Sequence, residues 1–292
     1  MTPFTGIIIN SHHSPAIKLC YTINMLPYSD YHIHTPLCGH ATGEPQAYVK
    51  QAIKIGLTEM GFSDHAPLVS HKDPTISMDH SQLPIYHHMI ESVRAEFEDD
   101  IKILVGIEAD YMPGFEARTK SILAQYPYDY VIGSVHFIEK WGFDDPIQMK
   151  EWNIRDVNEV YHDYNRLLRK SALSRMFDIL AHIDLVKKFD FRPTIDMTAE
   201  IEENARVFKK TGVVIEINTS GLRKPAKEIY PSLHDLKIYQ AKGIPITFGS
   251  DSHTPKDVGA DFDKGRDLAL AAGYKEYVLF EKRKIVRAAY LS

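Results

Sequence analysis

No stretch of 18 consecutive apolar residues occurs in this sequence, so no segment is expected to span a membrane as a helix. Cysteine is scarce: Cys20 and Cys38 are too few for a disulfide framework, and we interpret both as reduced thiols. Basic residues are not in excess either, because the net charge is −5. Together with the lack of an export signal, these absences predict a cytoplasmic protein that binds neither nucleic acid nor membranes.

The domain organisation follows from length and composition. The 292 residues suffice for one barrel-sized domain, and a content of 44% hydrophobic and 25% charged residues is typical of globular proteins. Residues 1–24 contain a short apolar run but lack the basic segment of a signal peptide. We expect them to be a poorly ordered extension, or the result of a misassigned upstream start. No linker or charge block divides the rest, which predicts one domain over residues 25–292.

Histidine is the residue type in excess, with 15 in the chain. If residues 28–34 form a strand, Asp30, His32 and His34 project from the same face, because side chains alternate along a strand. Two imidazoles beside a carboxylate can chelate one metal ion. Asp251 and His253 repeat this spacing near the other end of the chain. The pattern therefore predicts a metal site built from distant parts of the sequence.

Short apolar segments alternate with amphipathic segments, which indicates parallel strands joined by helical crossovers. A doubly wound sheet also alternates in this way, but it would not gather seven strand ends at one centre. We predict an α/β fold, a distorted (β/α)7 barrel with the metal site at the C-terminal ends of the strands. Residues 141–152 are predicted to form a loop and residues 277–280 a last strand. The barrel strands are predicted over residues 28–34, 57–62, 101–107, 130–135, 178–181, 213–217 and 245–248.

Polar residues at or just after these strand ends form the candidate ligand set. They are His32, His34, His40, His65, Glu108, His136, His182, Asp251 and His253. Imidazoles and carboxylates suit zinc, iron or manganese, and nine ligands exceed what one tetrahedral zinc ion can use. Two or three ions bridged by Glu108 account for them better. A single histidine of this kind is usually an ordinary hydrogen-bonded residue, but the shared position at strand ends favours a metal centre.

Other residues near these strand ends each have two alternative roles. Cys38 is interpreted as a small packing residue, with a soft metal ligand as the alternative. Asp64, Asp184 and Glu216 are candidates either to orient imidazoles or to cap strand ends. The histidines outside the strand-end pattern are expected to be structural, although two in the long loop after His65 have the option of approaching a substrate. These two are His71 and His80.

The motifs together resemble those of the polymerase-and-histidinol-phosphatase (PHP) superfamily, and specifically its monofunctional histidinol-phosphatases. They are Asp-Tyr-His-Ile-His (30–34), Cys-Gly-His (38–40), Ser-Asp-His-Ala-Pro (63–67), Gly-Ile-Glu-Ala-Asp (106–110), Gly-Ser-Val-His-Phe (133–137), His-Ile-Asp-Leu (182–185), Glu-Ile-Asn-Thr-Ser-Gly-Leu-Arg (216–223) and Gly-Ser-Asp-Ser-His (249–253). The resemblance implies a centre of three metal ions and hydrolysis of L-histidinol phosphate in histidine biosynthesis.

The resemblance also implies how the ligands divide among the ions. One ion would use His32, His34, Glu108 and Asp251. A second would share Glu108 and add His136 and His182. A third would take His40, His65 and His253.

Phosphomonoester hydrolysis requires a nucleophile, charge neutralisation and a proton for the leaving alkoxide. Clustered divalent ions supply the first two, and the sequence shows neither a Ser or Cys nucleophile nor a P-loop. Arg223 is the candidate for binding phosphate, because a guanidinium can donate two parallel hydrogen bonds to it. Asp251 and His253 are candidate catalytic residues for proton transfer, with metal-bound water as the alternative.

Three other functions are compatible with parts of this pattern. A phosphoesterase of the same family acting on another small phosphomonoester, on nucleotides or on nucleic acid ends is the first alternative, but nucleic acid would require a basic surface. A metal-dependent hydrolase of C–N bonds also carries His-x-His after its first strand, although Glu108 here occupies the bridging position. A non-catalytic metal-binding protein ranks last. The substrate is therefore expected to be a small-molecule phosphomonoester.

Overall fold

Residues 29–291 are described by a computed structural model, which contains eleven strands. The predicted extension over residues 1–24 and Cys20 lie outside the described residues. The strands are β1 (Ser29–Asp30), β2 (Glu59–Phe62), β3 (Lys102–Asp110), β4 (Tyr130–Ser134), β5 (Phe137–Ile138), β6 (Trp141–Gly142), β7 (Ile179–Leu180), β8 (Val214–Asn218), β9 (Ile246–Gly249), β10 (Glu276–Glu281) and β11 (Lys284–Tyr290).

Seven of these strands form one sheet in the order β1-β2-β3-β4-β7-β8-β9, with every neighbouring pair parallel. The two edges of the sheet meet. The backbone N–H of Tyr31 donates to the carbonyl of Phe248 at 3.2 Å, and the N–H of His34 donates to the carbonyl of Ser252 at 3.0 Å. These bonds close the sheet into a barrel, which confirms the predicted seven-stranded α/β architecture.

Within residues 29–291, seven α-helices accompany the strands. The first begins with Pro45, whose missing N–H costs nothing in the first turn, and ends at Gly56 with a φ of 84° that glycine adopts without strain. The helices are α1 (Pro45–Ile55), α2 (Leu83–Glu96), α3 (Glu116–Leu123), α4 (Val157–Ser174), α5 (Thr198–Thr211), α6 (Leu233–Ala241) and α7 (Phe262–Ala272). None of the helices among the described residues combines the length and apolar composition needed to cross a membrane.

The barrel interior is filled by large side chains, of which Tyr130 in β4 is an example. Its ring is fully buried and its hydroxyl donates to the carbonyl of Tyr31 at 2.7 Å. A Cβ atom at Gly61 in β2 or at Gly106 in β3 would clash with this ring. The two glycines therefore leave the space that Tyr130 occupies beneath the C-terminal strand ends.

The two short hairpins differ from the sequence-based expectation. Residues 141–152, predicted to be a loop, contribute β6 to a hairpin with β5 and form most of a 3-10 helix over Pro146–Asn153. The last strand, predicted over residues 277–280, is one half of an antiparallel hairpin of β10 and β11. This second hairpin packs at the N-terminal ends of the barrel strands, where Arg283 N–H donates to the carbonyl of Asp129 at 2.8 Å. It therefore lies opposite the predicted site.

Candidate metal centre

The barrel brings all nine candidate ligands to the C-terminal ends of its strands. Each side chain owes its position to the strand that precedes or contains it, because parallel strands end at the same face of a barrel. One of the nine, His40, lies in the loop that follows the 3-10 helix Pro36–Cys38. His32, His34 and His40 follow β1, and His65 follows β2. Glu108 lies in β3, His136 follows β4, and His182 follows β7. Asp251 and His253 follow β9.

Glu108 lies at the middle of the cluster and is 1% exposed. Both of its carboxylate oxygens face imidazole nitrogens. Measured from Oε2, the distances are 3.0 Å to Nδ1 of His65, 3.2 Å to Nε2 of His32 and 3.6 Å to Nε2 of His34, and from Oε1 they are 3.2 Å to Nε2 of His182 and 3.8 Å to Nε2 of His136. A carboxylate in this position is able to bridge two ions.

Asp251 completes the cluster on the side of β9. Its Oδ1 lies 3.3 Å from Nε2 of His34 and 3.5 Å from Nδ1 of His253. The His253 ring stacks between the rings of His34 and His40, with centroid separations of 4.0 Å and 4.5 Å. The three residues predicted to share a third ion therefore adjoin the part of the cluster that contains Glu108.

The donor atoms of this cluster fit a metal centre. Several buried atoms lie close to other ligand atoms but make no hydrogen bond of acceptable geometry with the described residues, and leaving such atoms unpaired costs free energy. They are Nε2 of His32, His34 and His253 and Oε2 of Glu108. Groups of these residues, such as His32, His34 and Asp251, place their ligand atoms within 4.8 Å of one another. Unpaired nitrogen and carboxylate donors that converge in this way suit zinc, iron or manganese.

The charges of the side chains also favour a cation. Burial, the largest influence, lowers the pKa of His34 to about 3, so that this imidazole is in the neutral form that binds metals. Burial likewise lowers the pKa of His136, but the neighbouring carboxylates, first among them Asp110, together outweigh it and raise the pKa to about 10. Burial raises the pKa of Glu108, yet His32 and His65 hold it well below its usual range. The carboxylates are therefore ionised and attract positive charge.

The cluster opens into a cavity of about 600 Å³. Arg223 lines this cavity, and its Nη2 donates to the carbonyl of Ser250, while Nη1 has no hydrogen-bond partner among the described residues and lies 3.9 Å from Oδ2 of Asp261. Lys224 and Lys188, the latter paired with Asp144 at 2.9 Å, also line the cavity. Three cationic side chains beside a metal-binding cluster suit an anionic substrate such as a phosphate ester.

The model of the PHP domain family matches residues 30–220, more than half of the chain. The chain belongs to the PHP domain family. Among its relatives, the probable histidinol-phosphatase of Deinococcus radiodurans is 38% identical over 260 residues, covering 88% of this chain and 97% of that protein. The histidinol-phosphatase of Bacillus subtilis is 31% identical over 258 residues, covering 80% of this chain and 96% of that protein.

A solved structure of a PHP relative has the same fold. It is the crystal structure of histidinol phosphate phosphatase from Lactococcus lactis complexed with zinc, L-histidinol and phosphate. The TM-score is 0.76 at 26% identity, and the match covers 89% of this chain and 99% of that chain. The resemblance inferred from the motifs is therefore confirmed at the levels of family and fold.

Carboxylates outside the ligand set orient the imidazoles of the cluster around Glu108. Glu216 places Oε1 2.8 Å from Nδ1 of His32, and its Oε2 accepts the backbone N–H of His182 at 3.0 Å. Asp64 places Oδ1 3.4 Å from Nδ1 of His34. Both residues were candidates for this role. A nitrogen held by a carboxylate fixes the ring orientation and leaves the other nitrogen free for a metal ion.

Two carboxylates depart from the sequence-based expectation. Within residues 29–291, Asp184 contacts no imidazole; its Oδ2 lies 2.6 Å from Nζ of Lys187 and accepts the N–H of Ser232 at 2.9 Å. Asp110, which sequence reasoning did not select, places Oδ1 3.0 Å from Nδ1 of His136. The available signal was its spacing, because Asp110 stands two residues after Glu108 and so shares its face of β3.

The remaining candidates, Cys38, His71 and His80, lie at different distances from the cluster around Glu108. Cys38 is fully buried, with its sulfur within 4.8 Å of ligand atoms of His40 and His253. His71 lines the cavity and contacts the ring of Phe137 edge to face at a centroid distance of 5.9 Å. His80 instead lies 3.0 Å from the amide of Gln125, outside the cavity. Of the two loop histidines, the structure thus brings only His71 to the site.

Proposed function

We propose that this chain hydrolyses L-histidinol phosphate to L-histidinol and phosphate in histidine biosynthesis, in a reaction that depends on bound metal ions. The observation that carries the proposal is the cluster of nine ligands around Glu108 at the base of a cavity lined by cationic side chains. The relatives named histidinol-phosphatase support the choice of substrate, as does the Lactococcus lactis structure with zinc, L-histidinol and phosphate.

We further propose that three ions occupy the centre, with zinc, iron and manganese as the candidate metals. When bound, such ions neutralise charge on the phosphoryl oxygens and activate water as a nucleophile. The proximity of the side chains around Glu108 and His253 supports this division. The proposed ligand sets are His32, His34, Glu108 and Asp251 for the first ion, Glu108, His136 and His182 for the second, and His40, His65 and His253 for the third.

Arg223 is proposed to bind the phosphoryl group of the substrate. The side chain lines the cavity, its Nη1 has no hydrogen-bond partner among the described residues and lies 3.9 Å from Oδ2 of Asp261, and the bond from Nη2 to the Ser250 carbonyl fixes the direction of the guanidinium plane. A guanidinium held in this way donates to phosphate at low conformational cost. Asp251 and His253, at the edge of the cluster, are the side chains proposed to transfer a proton to the leaving alkoxide.

The binding partner is proposed to be a small phosphomonoester substrate, and the protein is proposed to reside in the cytoplasm. The cavity of about 600 Å³ is of the size that encloses a small metabolite. The net charge of −5 supports a protein without affinity for nucleic acid.

Turnover of a panel of phosphate esters by the metal-loaded protein tests this proposal. The panel contains L-histidinol phosphate, other small phosphomonoesters, a nucleotide and a phosphodiester. We expect the highest kcat/KM for L-histidinol phosphate and its loss in Glu108→Ala, which removes the central carboxylate. Preference for the nucleotide or the phosphodiester, or full activity in Glu108→Ala, would contradict the proposal.

A further inference from the structure

A second cavity, of about 240 Å³, lies outside the barrel between α4, the segment 183–198 and the start of α6. It shares a wall with the metal cavity but no lining residue. Along the segment that forms this wall, His182, Leu185 and Lys188 line the metal cavity. Ile183, Asp184, Val186 and Lys187 line the second cavity. The proposed phosphatase activity assigns no role to this second space.

Carboxylates in and around the second cavity outnumber the lysine and arginine side chains that pair with them. Lys187 lies 2.6 Å from Asp184 and 3.0 Å from Glu228, and it also donates to a backbone carbonyl. Arg192 pairs with Asp190 and Glu228, each at 2.9 Å. Both cations are thus committed, and neither pairs with Asp235, which lines the cavity from the first turn of α6.

One of these carboxylates has a free, buried oxygen. Asp184 is 8% exposed, and its Oδ2 receives the contacts from Lys187 and from the N–H of Ser232. Its Oδ1 has no hydrogen-bond partner among the described residues. Burial, with the nearby charge of Asp184, raises the pKa of Asp235, which lines the same cavity. The pair is therefore short of a cationic donor, and burying a carboxylate without one is costly.

Apolar and aromatic side chains form much of the remaining lining, and Asn165, Asp196, Thr198 and His234 add polar groups to it. Tyr161 and Tyr164 contribute their rings, and their hydroxyls are occupied by the carbonyls of Phe191 at 2.8 Å and His182 at 3.1 Å. Aliphatic side chains complete the wall, with Ile195 at its exposed rim. A ligand that fits must carry a donor cation at one end and an apolar body at the other, within a small volume.

We propose that this second cavity binds a small organic ammonium ion, with its ammonium group between Asp184 and Asp235 and its apolar body against the tyrosine rings. The ligand chemistry is that of a primary amine with a short aromatic or aliphatic body. Binding here does not require the metal centre, because none of the residues that line this cavity belongs to the proposed ligand set.

Calorimetric titration of the metal-loaded full-length protein with 2-phenylethylamine tests the proposal, with 2-phenylethanol as the neutral probe of the same shape. We expect one binding site for the amine and at least tenfold weaker binding of the alcohol. Asp235→Asn keeps the shape of the side chain and removes its charge, so the affinity for the amine should fall about tenfold or more. Asp145→Asn removes a carboxylate from the metal cavity instead and should leave the affinity unchanged.

A bulky side chain at the rim gives an independent test that does not disturb the buried charges. Ile195 is 46% exposed, so Ile195→Trp should fold normally and block entry of the amine. Failure of the amine to bind the native protein, equal binding of the amine and the alcohol, or unchanged affinity in both Asp235→Asn and Ile195→Trp would overturn the proposal. Loss of binding in Asp145→Asn alone would also overturn it, because the amine would then occupy the metal cavity.

Discussion

Carboxylates outside the ligand set contact ring nitrogens of the imidazoles around Glu108. The effect of a single substitution on metal affinity therefore depends on these carboxylates as well as on the ligands. Glu216 holds His32 at 2.8 Å and Asp110 holds His136 at 3.0 Å. A carboxylate in this position fixes the ring and makes its free nitrogen a stronger donor. Substitutions of residues that never touch a metal ion should therefore change metal affinity.

Asp110→Asn is the sharpest case, because the amide keeps the volume of the side chain but removes its charge. We expect metal affinity to fall about 10- to 100-fold, since His136 loses the carboxylate that orients it. Competition with a chromogenic chelator measures this change. Asp145→Asn, in the same cavity but bonded to Ile147 and Gln148, is the matched control and should bind metal normally. Equal affinities in the two variants would exclude an orienting role for Asp110.

Arg223→Ala should separate substrate binding from metal binding. The side chain contacts the Ser250 carbonyl and lines the cavity, but it contacts none of the proposed ligands within hydrogen-bond distance. We expect KM for L-histidinol phosphate to rise at least about tenfold, because a charge-assisted contact to phosphate is lost, while metal content per chain stays constant. Steady-state kinetics with elemental analysis distinguish the two. An unchanged KM would remove Arg223 from the phosphate site.

At this scale the sequence was informative about ligands and less so about their neighbours. The nine candidate ligands share a position after strand ends, a one-dimensional pattern, and the structure brings all nine together. The spacing of Asp110 after Glu108 places both on one face of β3, but whether Asp110 or Asp184 touches an imidazole also depends on how neighbouring strand ends lie in space, which spacing alone does not encode. Asp184 meets Lys187 and Ser232 instead, since the segment after β7 turns it away from the cluster.

Among the elements, the buried strands were predictable and the hairpins were not. A continuous aliphatic run such as that of β3 is typical of a strand covered on both faces, and it lies within one to three residues of its expected bounds. By contrast, β11 is exposed along most of its length and lacks the continuous apolar run of a buried strand, although Ile285, Val286 and Tyr290 are residue types typical of strands. Only its pairing with β10 makes it a strand.

The β10–β11 hairpin is tied to the barrel by Arg283, which lies in its turn. The guanidinium pairs with Asp178 and donates to the carbonyl of Met176 at 2.7 Å. Arg283→Ala should lower the free energy of unfolding by about 1–3 kcal/mol at neutral pH, less than for a fully buried pair because Arg283 is partly exposed. Chemical denaturation measures the loss, with the exposed Lys284→Ala in β11 as the control, expected within about 0.5 kcal/mol of the native protein.

The same variant has a predictable pH dependence. Burial raises the pKa of Asp178, and Arg283 opposes this effect. Without Arg283 the folded-state pKa rises further above the unfolded value, so ionisation of Asp178 costs stability as the pH increases. The stability lost in Arg283→Ala should therefore shrink as the pH falls towards about 5. A loss that grows on acidification would show that Asp178 is not the partner that matters.

Across the whole molecule, closure of the barrel depends on contacts between the first and last strands. Asp30 in β1 is fully buried and accepts the backbone N–H groups of Ser250 and Gly259, each at 2.9 Å. It thereby fixes the segment that carries Asp251 and His253 against the strand that precedes His32 and His34. The site is thus assembled only when both ends of the domain are in place.

Asp30→Ala leaves these two buried N–H groups without an acceptor. We expect a loss of about 2–4 kcal/mol in the free energy of unfolding, together with weaker metal binding, because both halves of the ligand set shift. Thermal unfolding of the apo and metal-loaded forms measures both effects. Asp263→Ala, at an exposed position in α7, is the control. A native-like melting temperature in Asp30→Ala would show that closure does not rely on this residue.

The central claim is that the cluster around Glu108 holds the metal ions on which phosphate ester hydrolysis depends. It is tested most directly by measuring bound metal per chain and turnover of L-histidinol phosphate in the same samples, during stepwise chelation and then re-addition of zinc, iron or manganese. We predict that turnover falls as metal is removed and returns with it. Full turnover by metal-free protein would contradict the claim.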